Sequence, residues 1–246
     1  VPIYDLWIKD DDLLAATHGR SFWILDDLSR VRQLTADFSQ ERMHLLKPGT
    51  TVRLGAPFGG RKPSEGKNYQ LSLGAAVTYT ETKGYSGQIV RKFLDAGQNP
   101  SSGVQISYFL SHIPEDEIIL TISDANGGVI KTFSSSNPDS DDDHQERSIP
   151  ACKGMNHFEW DLRYPGATRL TGDKTTEDSI VGPMAPPGSY KATLADGKDT
   201  QTQDFDVVKN PNVDATQEDF DAQFVFLLQL RDKLSETHDN ISKLRN

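Results

Sequence analysis

VPIYDLWIKDDDLLAATHGRSFWILDD, residues 1–27, decides how the rest of the chain is read. Three short strand-like runs follow one another in it: Val1–Lys9, Leu13–Thr17 and Ser21–Asp26. His18-Gly19-Arg20 joins the last two as a tight turn, where glycine supplies the positive φ of a hairpin corner. A unit this small has open edges on both sides and cannot bury its own faces, so it normally stacks with copies of itself. No second copy occurs in the sequence. The run therefore reads as a single propeller-type blade, expected to be the end of a longer protein.

Outward from the blade, Leu28–Leu34 reads as a short helical turn and Met43–Leu46 as a strand leading into Pro48-Gly49. Residues 1–48 are thus a blade with its connector. Residues 49–102 read as a long, mostly irregular excursion: GAPFGGRKPSEGK (55–67) is rich in Gly, Pro and Lys, and strand-like stretches follow at Tyr69–Tyr79 and Gly87–Leu94. From Gly103 the pattern sharpens. Val104, Ile106, Tyr108 and Leu110 alternate with Gln105, Ser107 and Phe109, the period of a strand with one buried face. Ile118–Ser123 and Val129–Phe133 flank DANGG, a strong hairpin signal. His157–Arg163, Gly188–Leu194 and Asp204–Lys209 complete about six short strands. That spacing over residues 103–211 predicts an antiparallel β-sandwich of immunoglobulin or fibronectin III style, with Trp160 and Tyr190 as core anchors that each need a partner for a polar atom.

Residues 212–246 change character. Thr216-Gln-Glu-Asp219 is a capping-box-like helix start. Leu227, Leu230, Leu234, Ile241 and Leu244 then recur at steps of three and four, a coiled-coil-like seam. The fold class expected is mainly β, a partial blade plus an Ig-like sandwich, with a long C-terminal α-helix. The distal seam is expected to need a helix that covers it, and self-association of the chain through this helix is one way to supply it.

The wording of the blade carries a family resemblance. Asp5, Leu6, Asp12, Leu13, Ala16-Thr17-His18-Gly19-Arg20 and Phe22-Trp23-Ile24-Leu25-Asp26-Asp27-Leu28 resemble the closing blade of the sortilin-like, Asp-box (BNR) β-propeller proteins of glycosyl hydrolase type. NHFEWDLRYPGAT (156–168), APPGSYKATL (185–194) and residues 222–246 resemble the region after that propeller. The resemblance implies a secreted or periplasmic protein whose catalytic groups, if the parent is a hydrolase, lie in the propeller outside this chain. It also makes the remainder of the parent propeller the expected partner.

Composition narrows the function classes. The 246 residues carry 26 Lys and Arg against 36 Asp and Glu, a net charge of −10, which argues against nucleic acid or an anionic membrane as partner. Only 35% of residues are apolar, mean hydropathy is −0.56, and no run reaches the length of a membrane span. Cys152 is alone, so no internal disulfide forms. Neither a phosphate-binding glycine loop nor paired zinc-ligand motifs occur, and no cofactor is expected.

The candidate residues divide by chemistry. His18 and Arg20 could meet a sugar carboxylate, but such a site draws arginines from several blades; they are expected to decorate the hairpin or pair with Asp26 or Asp27. Asp139, Asp141 and Asp143 could supply oxygen ligands to Ca²⁺, yet lack the alternating spacing that wraps an ion. Ser123-Asp124 with Gly127-Gly128 has the look of an Asp-box and reads as a plain hairpin turn. Glu159 and Asp161 lie two apart on one strand, at a separation that general acid–base work tolerates and that solvated sheets show constantly. Cys152 and His157 form no supported nucleophilic pair. Arg163 and Tyr164, beside Pro165-Gly166, suit a carbohydrate contact. No catalytic residue is assigned. The leading expectation is a non-catalytic structural and interaction module. The alternatives left open are a carbohydrate-binding sandwich that directs a parent glycosidase to glycans and, behind it, glycoside hydrolysis by this chain.

Overall fold

The computed structural model describes residues 2–35, 40–54, 67–72, 75–83, 89–94, 102–136, 148–170 and 180–245. The chain opens with three antiparallel strands, β1 (Ile3–Lys9), β2 (Asp12–Thr17) and β3 (Phe22–Leu25), which form a sheet of their own. A single helical turn, α1 (Ser29–Arg32), follows. Two three-residue strands come next, β4 (Met43–Leu45) and β5 (Thr51–Arg53). Strands β6 (Lys67–Ser72), β7 (Ala75–Lys83) and β8 (Ile89–Phe93) then make a second separate antiparallel sheet.

The body is built by β9 (Val104–Leu110), β10 (Ile119–Asp124), β11 (Val129–Ser134), β12 (Gly154–Trp160), β13 (Gly188–Ala195) and β14 (Thr200–Lys209). They sort into a five-stranded sheet, β11-β10-β13-β14-β5, and a three-stranded sheet, β12-β9-β4. All neighbours are antiparallel except β14 and β5, which run parallel. The two sheets feed one hydrophobic cluster. Val104, Ile106, Tyr108 and Leu110 of β9 enter it with Leu120, Ile122, Ala192, Leu194, Phe205 and Val207 from the larger sheet. Period-two alternation is the cause: on β9 the inward phase is apolar, and each large side chain so buried contributes about 1.5–3 kcal/mol. Trp160 sits at the centre, edge-on to Tyr190 at 5.7 Å and to Phe205 at 6.2 Å. Its indole N–H donates to Arg163 O at 3.2 Å, and the Tyr190 hydroxyl donates to Pro186 O at 2.6 Å, so both anchors find their polar partner.

The free edge of β4 is sealed by side chains. Leu45 N–H donates to Gln201 Oε1 at 2.7 Å, while the Gln201 and Gln203 amides donate to Met43 O at 2.8 Å and Leu45 O at 3.1 Å. Two glutamines of β14 thus stand in for a neighbouring strand and bind one sheet to the other. At the same end Arg42 bonds Asp196 in the β13–β14 turn, and its Nε reaches Asp199 at 3.1 Å.

Helix α2 (Gln217–Arg245) begins as a reciprocal cap, Thr216 N–H to Asp219 Oδ2 at 2.9 Å and Asp219 N–H to Thr216 Oγ1 at 3.3 Å. At 1.5 Å per residue it is about 44 Å long. One stripe faces the body. Phe220 stacks under the Arg53 guanidinium at 4.9 Å, and Phe224 meets the Tyr164 ring at 4.6 Å. Further along, Ser235 Oγ accepts Thr168 N–H at 3.0 Å and His238 Nδ1 donates to Thr168 O at 2.6 Å. A peptide of the body is therefore strapped along the distal half of the helix. No helix among the described residues is long and apolar enough to cross a membrane.

Two expectations are corrected here. Strand β5 falls in the stretch read as irregular excursion, yet it belongs to the body's larger sheet, because its partner β14 is about 156 residues away and invisible to local pattern. The same stretch, where strand-like runs are expected at Tyr69–Tyr79 and Gly87–Leu94, holds the ordered sheet β6-β7-β8, with β7 pairing β6 on one side and β8 on the other. The distal helix seam is not bare along its whole width: Leu227, Leu234 and Ile241 are half-buried, while Leu230 and Leu244 are exposed.

Candidate functional site

The feature that stands out is the N-terminal sheet. Its register places Leu6, Ala15 and Trp23 in one cross-strand row and Ile8, Leu13 and Leu25 in the next, so these two rows of one face are wholly apolar. On the opposite face Trp7, Leu14 and Ile24 form a row beside Asp5, Ala16 and Phe22, and only Lys9 and Asp12 at the turn end are both charged. A sheet with one wet face alternates apolar and polar; here Leu6, Ile8, Trp23 and Leu25 on one face are answered by Trp7, Leu14, Phe22 and Ile24 on the other, as in a layer covered on two sides, and Asp5, Lys9 and Asp12 are the charged positions of that second face. Among the described residues neither face is covered. Phe22 is 77% exposed, Trp7 66% and Trp23 64%, and Ile3, Tyr4, Leu6, Ile8, Ile24 and Leu25 are also more than half exposed. With roughly 200 Å² for each large side chain, these nine present on the order of 1,000 Å² of apolar surface. Shared between two faces, that puts each on the scale of the largest apolar patch on an ordinary monomer, about 300–600 Å².

The joint between this sheet and the body is polar. Asp27, in the left-handed region at φ 58°, is its hub. Its backbone N–H donates to Asp12 Oδ1 at 3.0 Å, its Oδ1 accepts from the Ser29 N–H at 3.1 Å, and its Oδ2 lies 3.1 Å from Arg30 Nε. A Cβ on Gly49 would stand 2.9 Å from the same carboxylate, so the glycine lets the chain pass close. Leu28 N–H donates to Asp11 O at 2.6 Å, and Arg32 pairs with the Asp11 carboxylate.

The other candidates are structural in their surroundings. The Arg163 guanidinium donates to Gly182 O at 2.8 Å, and the Tyr164 ring packs on Phe224; burial and then the Asp124 charge push the Tyr164 hydroxyl up to about 12. Asp161 accepts the Arg163 N–H at 3.1 Å, beyond the end of β12, so it does not share a strand face with Glu159. His157 Nδ1 lies 2.8 Å from Ser107 Oγ rather than on Cys152, and desolvation, with the Arg30 charge, lowers its pKa. Ser107 is buried, which keeps its hydroxyl from any substrate. Asp124 accepts N–H groups from Asn126 and Gly128 at 2.8 and 2.9 Å, the plain turn expected. His18 stands edge-on to Tyr4 at 5.3 Å, and Asp27 is taken by Arg30 rather than Arg20. Asp139, Asp141 and Asp143 lie outside the described residues. Among those described, no three His, Cys, Asp or Glu side chains gather to hold a metal.

What sequence reasoning missed is how large the apolar side chains on the second face are: beside Asp5 and Lys9, Trp7 of IYDLWIK and Phe22 and Ile24 of FWIL stand on it, while Leu6, Ile8, Trp23 and Leu25 stand on the first. No family model, no curated protein and no solved structure matches the chain.

Proposed function

We propose that the chain is a non-catalytic structural and interaction module, the closing part of an extracytoplasmic β-propeller protein of the sortilin-like, Asp-box type. The observation that carries this reading is the N-terminal sheet with an apolar, exposed surface on each side. One face could be satisfied by a two-fold contact with a second copy; two faces require a layer on each side, which is what neighbouring blades provide. The resemblance of residues 5–28 to a closing blade points the same way.

The body is read as an immunoglobulin- or fibronectin III-like sandwich. Its sheet orders, β12-β9-β4 and β11-β10-β13-β14, follow the alternation of such folds, with β5 added parallel to the last strand. The Tyr190 hydroxyl reaching back four residues, to Pro186 O, supports it as a tyrosine corner. In this role the sandwich and α2 brace the end of the propeller, and any hydrolytic groups of the parent belong to the propeller.

The test places lysine on each face, Leu6→Lys with Trp7→Lys. The expected outcome is an unchanged melting transition of the body, less bis-ANS binding by the isolated chain, and loss of protection of residues 3–25 from hydrogen exchange in the longer parent protein. If the two lysines lower the body's stability as much as a core substitution does, the sheet is part of the body's own fold and the reading fails.

A further inference from the structure

We infer that the cleft between the N-terminal sheet and the body binds a hydroxyl-rich ligand of the saccharide class. The inference stands on a different surface from the apolar faces above and does not depend on them. The cleft has a volume of about 950 Å³. Its walls come from the turn end of the first sheet, from the segment around β5, from the start of β9 and from the loop after β14. Such a junction between structural units is where small-ligand sites concentrate, and the volume is at the upper end of their usual range of about 300–1,000 Å³.

The lining selects the ligand. Three of its four carboxylates are already spent: Asp11 on Arg32, Asp12 on the Asp27 N–H, and Asp27 on Ser29 and Arg30. What remains is mixed. Among the described residues no hydrogen bond or ion pair engages the side chains of Asp26, Lys47, Gln105 or Asn212, all of which line the cleft. A bare metal ion lacks a ligand set here, and an apolar molecule would strip these groups of water without replacing it. A phosphate would face the carboxylates. Sugar hydroxyls donate and accept at once, so one pair of vicinal hydroxyls satisfies a carboxylate and a carboxamide together. The apolar C–H face of a pyranose then has Val52 and Leu54 to rest on, both lining the cleft and more than a third exposed. The Arg163–Tyr164 corner lacks this combination, since its ring and guanidinium are committed to the body.

The test is saturation-transfer NMR on the whole chain with maltotriose, cellotriose and triacetylchitotriose at millimolar concentration, followed by titration calorimetry on any sugar that responds. At least one sugar is expected to show transfer, and Gln105→Ala and Asn212→Ala are each expected to weaken it about tenfold, as loss of one hydrogen-bonded group does. Near-UV circular dichroism confirms that the variants keep the native core. No transfer to any of the three sugars overturns the inference, and so does binding that survives both substitutions in natively folded protein.

Discussion

Replacing Asp196 with asparagine should loosen the corner at which the chain leaving the N-terminal sheet is fastened to the body. Asp196 is 4% exposed. One carboxylate oxygen accepts N–H groups from Lys198 at 3.1 Å and Asp199 at 2.8 Å, and the other meets the Arg42 guanidinium. Burial pushes the carboxyl pKa up, but the Asp199 and Lys198 N–H groups and then Arg42 outweigh it, so the group titrates below its ordinary value of 3.8. Asparagine keeps one acceptor and turns an amide N–H₂ toward Arg42. A charge-assisted bond is worth about 1.5–3 kcal/mol, and discounting for the solvent-facing guanidinium leaves a cost of about 2 kcal/mol. For a chain of this length that is about 4–8 °C in Tm. Because the folded pKa is depressed, the stabilisation is complete above the unfolded value near 3.9 and disappears as pH falls through the lower folded value. Calorimetric melts of the wild type and Asp196→Asn should therefore differ most above about pH 5 and converge as the pH falls below the unfolded value. A variant that melts with the wild type at neutral pH, or a gap that does not shrink as the solution is acidified below the unfolded value, would refute the reasoning.

Two further outcomes follow from α2. Thr216→Ala removes the reciprocal cap and should cost about 1 kcal/mol, with faster hydrogen exchange confined to the first turn of the helix; uniform loss along the helix would contradict it. Ser235→Ala with His238→Ala frees both backbone groups of Thr168, so proteolysis near Ala167–Arg169 should accelerate while the Trp160 near-UV signal persists. Unchanged cleavage there would show that the strap is held by packing alone.

Local pattern was enough wherever one element carries its own signal. Alternation identified β9, the DANGG corner identified the β10–β11 hairpin, and the Thr216–Asp219 spacing identified the start of α2. Trp160 and Tyr190 were legible as anchors because large amphipathic rings in short strands have few other places to go. The short strands β4 and β5 were harder. Three residues cannot establish a period, and their partners lie far along the chain. The helix showed a different limit. Leu227, Leu234 and Ile241 form one seven-residue series and Leu230 and Leu244 another, and the contacts of Phe220, Phe224 and the Thr168 strap with the body, all distant in sequence, decide which faces inward. For function, the first sheet was legible as one with open faces, whereas the cleft draws on five separated segments and left no trace in the sequence.

The parallel pairing of β5 with β14 has a mechanical consequence. In a parallel pair both strands start at the same end, so tension that enters β5 from the N-terminal side and leaves β14 toward α2 slides one strand along the other. The rungs Thr51–Val207, Val52–Val208 and Arg53–Lys209 then resist together instead of parting one after another. A body anchored at its front to a larger assembly and pulled from its tail would hold as a clasp, not open as a zip.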